Sequence, residues 1–122
     1  MSKIKNFLVA LVALFMLVSC QQSSTLNVKV PANFELPCVI YYGSENCGWC
    51  KKFEPNWEIV KNDTTFRNVR FYNDAGSHRL FGIRSVPALV FINSDSVVTK
   101  LVGYQTESQF RNNVKKLTNE LQ

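Results

Sequence analysis

Apolar and polar positions along this chain change period several times, and each change marks an element. Phe7 to Val18 is an unbroken apolar run of twelve residues behind a short basic stretch, Met1 to Asn6. Leu26 to Val30 then alternates around Val28 and Val30, the period of a short edge strand. Pro31 and Pro37 bracket a connection with room for one helical turn. Cys38-Val39-Ile40-Tyr41-Tyr42 is continuous, β-branched and aromatic, which predicts a strand buried on both faces. After a loop from Gly43 to Asn46, Phe53, Trp57 and Val60 fall at i, i+4 and i+7. They predict a helix from Cys50 to about Asn62, bent where Pro55 removes a backbone donor.

The second half continues in the same way. Val69 to Tyr72 predicts a strand, and Ala75 to Phe81 a short helix stopped at Gly82. Ala88 to Ile92 is a strand of nearly pure core residues. Asn93 to Ser96 is a turn, and Val97 to Val102 returns as a hairpin partner until Gly103 breaks it. Thr106-Glu107-Ser108-Gln109 is a capping box, opening a helix whose buried stripe is Phe110, Val114, Leu117 and Leu121. There is no internal repeat. The order β-β-α-β-α-β-β-α predicts a central sheet of parallel and antiparallel strands flanked by helices.

Composition sharpens this picture. At 122 residues and 46% hydrophobic, the chain suits one globular domain, and nine Phe, four Tyr and two Trp argue against disorder. The formal net charge is +5, and +3 once Lys3 and Lys5 of the leader are set aside. No basic stripe with interleaved aromatics is present, so nucleic acid is not an expected partner.

The twelve-residue apolar run spans about 18 Å as a helix, short of the ~30 Å hydrocarbon core, so it predicts a cleaved export signal rather than a permanent span. Its end, Leu17-Val18-Ser19-Cys20, resembles the lipobox of bacterial lipoproteins. That resemblance implies a signal peptide over residues 1–19 and a lipid on the Cys20 sulfur. Residues 20–25 would then be a lipidated cysteine and short tether, and residues 26–122 the folded domain.

The candidate chemistry lies in Asn46-Cys47-Gly48-Trp49-Cys50-Lys51-Lys52. By itself a C-x-x-C is a redox dithiol, half a zinc site or a structural disulfide. A zinc site needs two further ligands, and neither Cys38 nor His78 is paired at ligand spacing. A structural bridge between residues three apart closes a tiny loop and gains little entropy. For the redox reading, Cys47 falls at a helix N-terminus, where free N–H groups and the dipole favour a thiolate, with Lys51 and Lys52 adding a screened contribution. Cys50, one turn further in, suits the resolving role. Gly48 permits close approach of a partner chain. Trp49 either offers that partner a flat apolar contact or packs beside the loop. Cys38 reads as an inert buried thiol and His78 as a surface residue.

Strand–loop–C-G-x-C-K–helix resembles the thioredoxin family. The match extends to Pro55, eight residues after Cys47, to "FGIRSVPALVFI" (Phe81 to Ile92), and to Gly103. The resemblance covers roughly Pro37 to Leu121. It implies an α/β thioredoxin-like fold, N-terminally trimmed because the chain before Cys38 is too short for a full first β-α unit. It also implies a cis Pro87, with Val86 offering backbone groups to an extended substrate segment. The site so implied is Cys47 as nucleophile, Cys50 as resolving thiol, and Gly48, Trp49, Val86 and Pro87 as substrate contacts, with no metal and no organic cofactor.

The chain departs from the family pattern at two places in the site. Tyr41 stands where thioredoxins bury an Asp six residues before the first Cys, and Glu45 or Glu58 are the acids that could substitute. Gly-Trp stands in place of Gly-Pro. The expected function is a thiol–disulfide oxidoreductase of the bacterial cell envelope, acting on protein thiols and disulfides. A reductase is favoured over an oxidase or isomerase, with a membrane or envelope dithiol as electron donor or acceptor. The alternative is a membrane-tethered binding module with redox chemistry secondary.

Overall fold

The computed structural model describes residues 23–74 and 76–119, so the leader, Cys20 and Leu121 lie outside the described residues. Five strands form one sheet in the order β1-β5-β4-β2-β3, with β1 at Ser23–Leu26, β2 at Cys38–Tyr42, β3 at Arg70–Asn73, β4 at Ala88–Ile92 and β5 at Val98–Val102. Only the β2–β3 pair is parallel. Among the described residues two α-helices, α1 at Gly48–Lys61 and α2 at Glu107–Asn119, and a short 3-10 turn at Thr64–Phe66 complete the fold.

Side chains alternate across a pleated strand, and β2 and β4, buried along their whole length, supply both cores. Val39, Tyr41, Leu89 and Phe91 point to the face covered by Phe53, Trp57 and Val60 of α1 and Phe110, Val114 and Leu117 of α2. Phe110 is the hub, with ring centroids 5.2 Å from Phe53 and 5.7 Å from Trp57. Cys38, Ile40, Tyr42, Ala88, Val90 and Ile92 point to the other face. No helix lies there among the described residues: Phe34, Phe81 and Ile83, from irregular segments, close that core.

Three expectations shift. The edge strand is Ser23–Leu26, not Leu26 to Val30. It pairs from Ser23↔Leu101 to Leu26↔Val98, and β5 offers no partner beyond Val98, so Val28 and Val30 pack inward without strand pairing. Ser23 to Thr25, read as tether, are thus part of the sheet. The helix expected over Ala75 to Phe81 is instead a run of turns from Gly76 to Gly82. Asp74 Oδ1 accepts from the Gly76 amide at 2.9 Å, a local bond that competes with helix, and seven residues barely outlast the cost of nucleation. Gly82 closes that run at φ +65°, where side chains are strained. Finally, β3 starts at Arg70 rather than Val69.

Candidate active site

The site is built where β2 ends and α1 begins. Cys47 is the residue before α1 in extended conformation (φ −103°, ψ 110°), and its sulfur accepts from the Cys50 amide at 3.1 Å. The Cys47 carbonyl accepts from the Lys51 amide at 3.2 Å and starts the helical ladder. Cys47 therefore caps a fourteen-residue helix with its sulfur, at the positive end of the dipole. The first turn carries no acidic residue to offset that field. An amide hydrogen bond and a helix terminus both stabilise a thiolate over a thiol.

Cys47 and Cys50 are joined as a disulfide, with Cα atoms 5.2 Å apart. The two sulfurs differ in access. Cys47 is half-buried, and Cys50 is fully buried beneath it. Cys38, the other described cysteine, is free and buried in the opposite core, where burial pushes its thiol up to about 12. Burial favours its neutral thiol, on the face of the sheet away from α1.

Val86 and Pro87 arrive from the segment before β4. Their peptide bond is cis, and the Val86 carbonyl oxygen lies 3.7 Å from Cys47 Sγ. In the bridged state that sulfur carries no proton, so this is a contact and not a hydrogen bond. The Pro87 carbonyl accepts from the Gly103 amide at 2.8 Å, which ties the segment to the end of β5. Gly103 has φ +109°, so the backbone there suits glycine. Val86 is 38% exposed and Pro87 is buried beside it. Gly48 is exposed, and a Cβ there would meet nothing within 4 Å.

Trp49 packs beside the loop and still leaves much of its surface open. Its ring is 58% exposed, yet one side packs on Tyr104 at 5.5 Å between centroids. Lys52 Nζ sits 4.8 Å from the Trp49 ring centre and 5.2 Å from that of Tyr104, a cation–π arrangement. Asn56 Nδ2 donates to Tyr104 Oη at 3.2 Å and to the Gln105 carbonyl at 3.1 Å, holding this platform on α1. Tyr104 and Asn56 were not singled out from sequence. They meet only because α1 and the start of α2 pack together, and no local pattern signals that.

On the face of β2 that α1 covers, Tyr41 is 3% exposed and its hydroxyl has no hydrogen-bond partner. Burial raises its pKa, and the nearby Glu54 charge raises it further. Tyr41 lines a surface groove with Lys51, Glu54, Glu58 and Asn73. Glu58, one of the two acids considered as substitutes, is there, and Glu54, not anticipated, joins it. Glu45 is exposed in the loop and does not line that groove. His78 is exposed among the turns, and its carbonyl accepts from the Ile83 amide at 2.8 Å.

A capped helix carrying a half-buried and a buried cysteine in one bridge, faced by a cis X-Pro segment, defines a dithiol–disulfide exchange domain. A family model described as thioredoxin matches residues 18–116, and the chain belongs to the thioredoxin family. Solved structures agree on the fold. The chain is similar to MTB dsbF in its mixed oxidised and reduced forms (17% identity, 66% of this chain and 79% of that one, TM-score 0.58). Another is a variant thioredoxin from Halobacterium salinarum (23% identity, 66% and 74%, TM-score 0.56). A third is a thioredoxin of Malassezia sympodialis (21% identity, 66% and 74%, TM-score 0.56). The family and the bridged Cys47–Cys50 pair together support thiol–disulfide oxidoreductase chemistry on protein thiols and disulfides.

Proposed function

We propose that this chain is a protein-disulfide reductase of the bacterial cell envelope, held to the membrane by a lipid on Cys20. In the reduced protein the Cys47 thiolate attacks a substrate disulfide. One substrate sulfur leaves as a thiolate, and a mixed disulfide forms. The Cys50 thiolate then attacks Cys47 Sγ, the second substrate sulfur leaves, and the Cys47–Cys50 bridge closes. Two electrons have moved to the substrate. A second dithiol, supplied by a membrane or envelope protein, reopens the bridge by the same exchange. The redox-active disulfide is itself the electron carrier, so the scheme calls for no metal or organic cofactor.

The observation that carries this reading is the asymmetry of the pair: Cys47 is accessible, caps α1 and accepts the Cys50 amide, while Cys50 is sealed beneath it. Gly48, Trp49, Val86 and Pro87 form the rim on which an extended substrate segment would lie. Insulin reduction driven by a small dithiol tests the chemistry. Wild-type protein should accelerate it, and Cys47→Ser should not. If Cys47→Ser retains full activity, the binding-module reading replaces the enzyme. Direction is read from the reduction potential: a value near that of thioredoxins, about −270 mV, fits a reductase, and one near −120 mV fits an oxidase. Acyl labelling of wild type but not of Cys20→Ala tests the anchor.

A further inference from the structure

The register of β1 fixes the side of the domain from which the anchor segment emerges. β2 runs toward the dithiol, since Tyr42 leads into the loop before Cys47. The antiparallel pairs Tyr42↔Ala88 and Ala88↔Val102 put the start of β4 and the end of β5 at that same end of the sheet. β1 is antiparallel to β5, and Ser23 lies opposite Leu101 while Leu26 lies opposite Val98. β1 therefore starts at the dithiol end and runs away from it.

Distances follow from sheet geometry. Ser23 is two strand spacings from Leu89 and two residues along β4 from Pro87, about 12 Å in all. The Val86 carbonyl next to Pro87 is 3.7 Å from Cys47 Sγ. Cys20 precedes Ser23 by three residues, which reach about 11 Å at most whatever their path. Chain length thus limits Cys20 to within roughly 30 Å of Cys47 Sγ, joined to the end of β1 that lies nearest the dithiol. Attachment at the opposite end, beside Leu26 and Val98, would turn the dithiol away from the anchor. The exposed side chains at the dithiol end include Trp49, Val86 and Val102, with Lys51, Lys52 and Arg84 against Glu45.

We infer that the domain is anchored by its active-site end, so that the Trp49–Val86 rim faces the bilayer and accepts a cysteine-bearing segment of a membrane-embedded protein. This rests on the proposed dithiol exchange and on the Cys20 anchor. At about 11 Å the tether is shorter than the roughly 30 Å width of a domain of this size, so the Ser23 end of the sheet stays next to the bilayer. A disulfide presented at the membrane surface is within reach, whereas a large soluble substrate would have to fit between rim and bilayer. The exchange is the one written above, with the embedded protein's dithiol or disulfide as the second couple.

Full-length lipidated protein in vesicles of phosphatidylethanolamine and phosphatidylglycerol, doped with a headgroup-labelled energy acceptor, provides the test. Transfer from Trp49 is read, with Trp49→Phe protein subtracting the Trp57 signal. A second form carries twenty Gly/Ser residues between Gln22 and Ser23, a linker of roughly 25 Å root-mean-square length that frees the orientation. Transfer from Trp49 should fall about twofold or more in the extended form, as the linker more than doubles the ~11 Å reach. Equal transfer in the two forms overturns the inference, as does failure of the wild type to stay on the vesicles. In cells, Cys50→Ala should trap an integral membrane protein as a mixed disulfide, and the inserted linker should lower that yield. Trapping of soluble proteins alone, at a yield the linker leaves unchanged, also overturns it. Insulin reduction by the same proteins in detergent, where no bilayer covers the rim, reads the chemistry separately, so loss of that activity with intact Trp49 transfer on vesicles faults the function and not the orientation.

Discussion

Tyr41→Phe isolates one oxygen atom. The Tyr41 ring is 3% exposed and packs on Phe53 and Trp57, at 5.3 and 5.4 Å between centroids, and phenylalanine keeps those contacts. What it removes is a buried hydroxyl with no hydrogen-bond partner. Leaving such a group unpaired costs about 1–3 kcal/mol. The void left by one oxygen returns part of that gain, since lost contacts and cavity both count against the variant. The net expectation is a stabilisation of about 1 kcal/mol, or a rise in Tm of roughly 4–8 °C for a domain of this size.

A pH dependence accompanies it. Burial first, and the Glu54 charge second, raise the folded-state pKa of Tyr41. A raised pKa contributes stability that is complete below the unfolded value, near 10, and is lost as pH climbs through the folded value. Tyr41→Phe should therefore unfold with a shallower loss above pH ~10 than wild type. Part of the slope stays, because burial also pushes Tyr42 and Cys38 up to about 12. Thermal unfolding of the oxidised protein, followed by far-UV circular dichroism from neutral to alkaline pH, measures both effects. A Tyr41→Phe variant less stable than wild type at neutral pH would refute the reasoning, because the hydroxyl would then be contributing a bond.

Three further outcomes follow from the same geometry. Gly43→Ala places a methyl against the Tyr41 hydroxyl and 2.7 Å from its ring carbon Cζ, so it should destabilise by about 1–3 kcal/mol in urea unfolding, and Tyr41→Phe should not rescue it. Asp63 is held at about 2 by the Thr65 amide and hydroxyl and by Arg111, so it contributes stability above its ordinary value of 3.8 that fades as pH falls through 2. Asp63→Asn should accordingly lower Tm at pH 7 and flatten the acid limb between pH 4 and 2. Phe110→Ala opens the hub of the helical core and should cost about 3–5 kcal/mol by the same unfolding assay.

Elements whose signals are local were legible in the sequence. The strand Ala88–Ile92 matches to the residue, because a short continuous apolar run bounded by Pro87 and the Asn93–Ser96 turn leaves little choice. The capping box is realised in both directions, with Thr106 N donating to Gln109 Oε1 at 3.0 Å and Gln109 N to Thr106 Oγ1 at 3.2 Å. The α1 stripe of Phe53, Trp57 and Val60 is buried as the helical period requires. What escaped was decided by partners far along the chain. Ser23–Leu26 is a strand because β5 is there to pair with it, and its polar residues suit an edge. The Gly76–Gly82 turns close a core supplied by β2 and β4. The dithiol itself stood out by spacing. The Tyr104 platform and the Glu54 charge near Tyr41 did not, since they exist only once α1 is docked.

The most direct measurement is the rate of iodoacetamide alkylation of the fully reduced protein as a function of pH, with the modified cysteine identified by peptide mass. Capping of α1 by the Cys47 sulfur predicts a single reactive thiol, Cys47, with a midpoint clearly below the free-thiol value of about 8.5, and Cys50 untouched while the protein is folded. A midpoint at or above that value, or Cys50 alkylated first, would contradict the account.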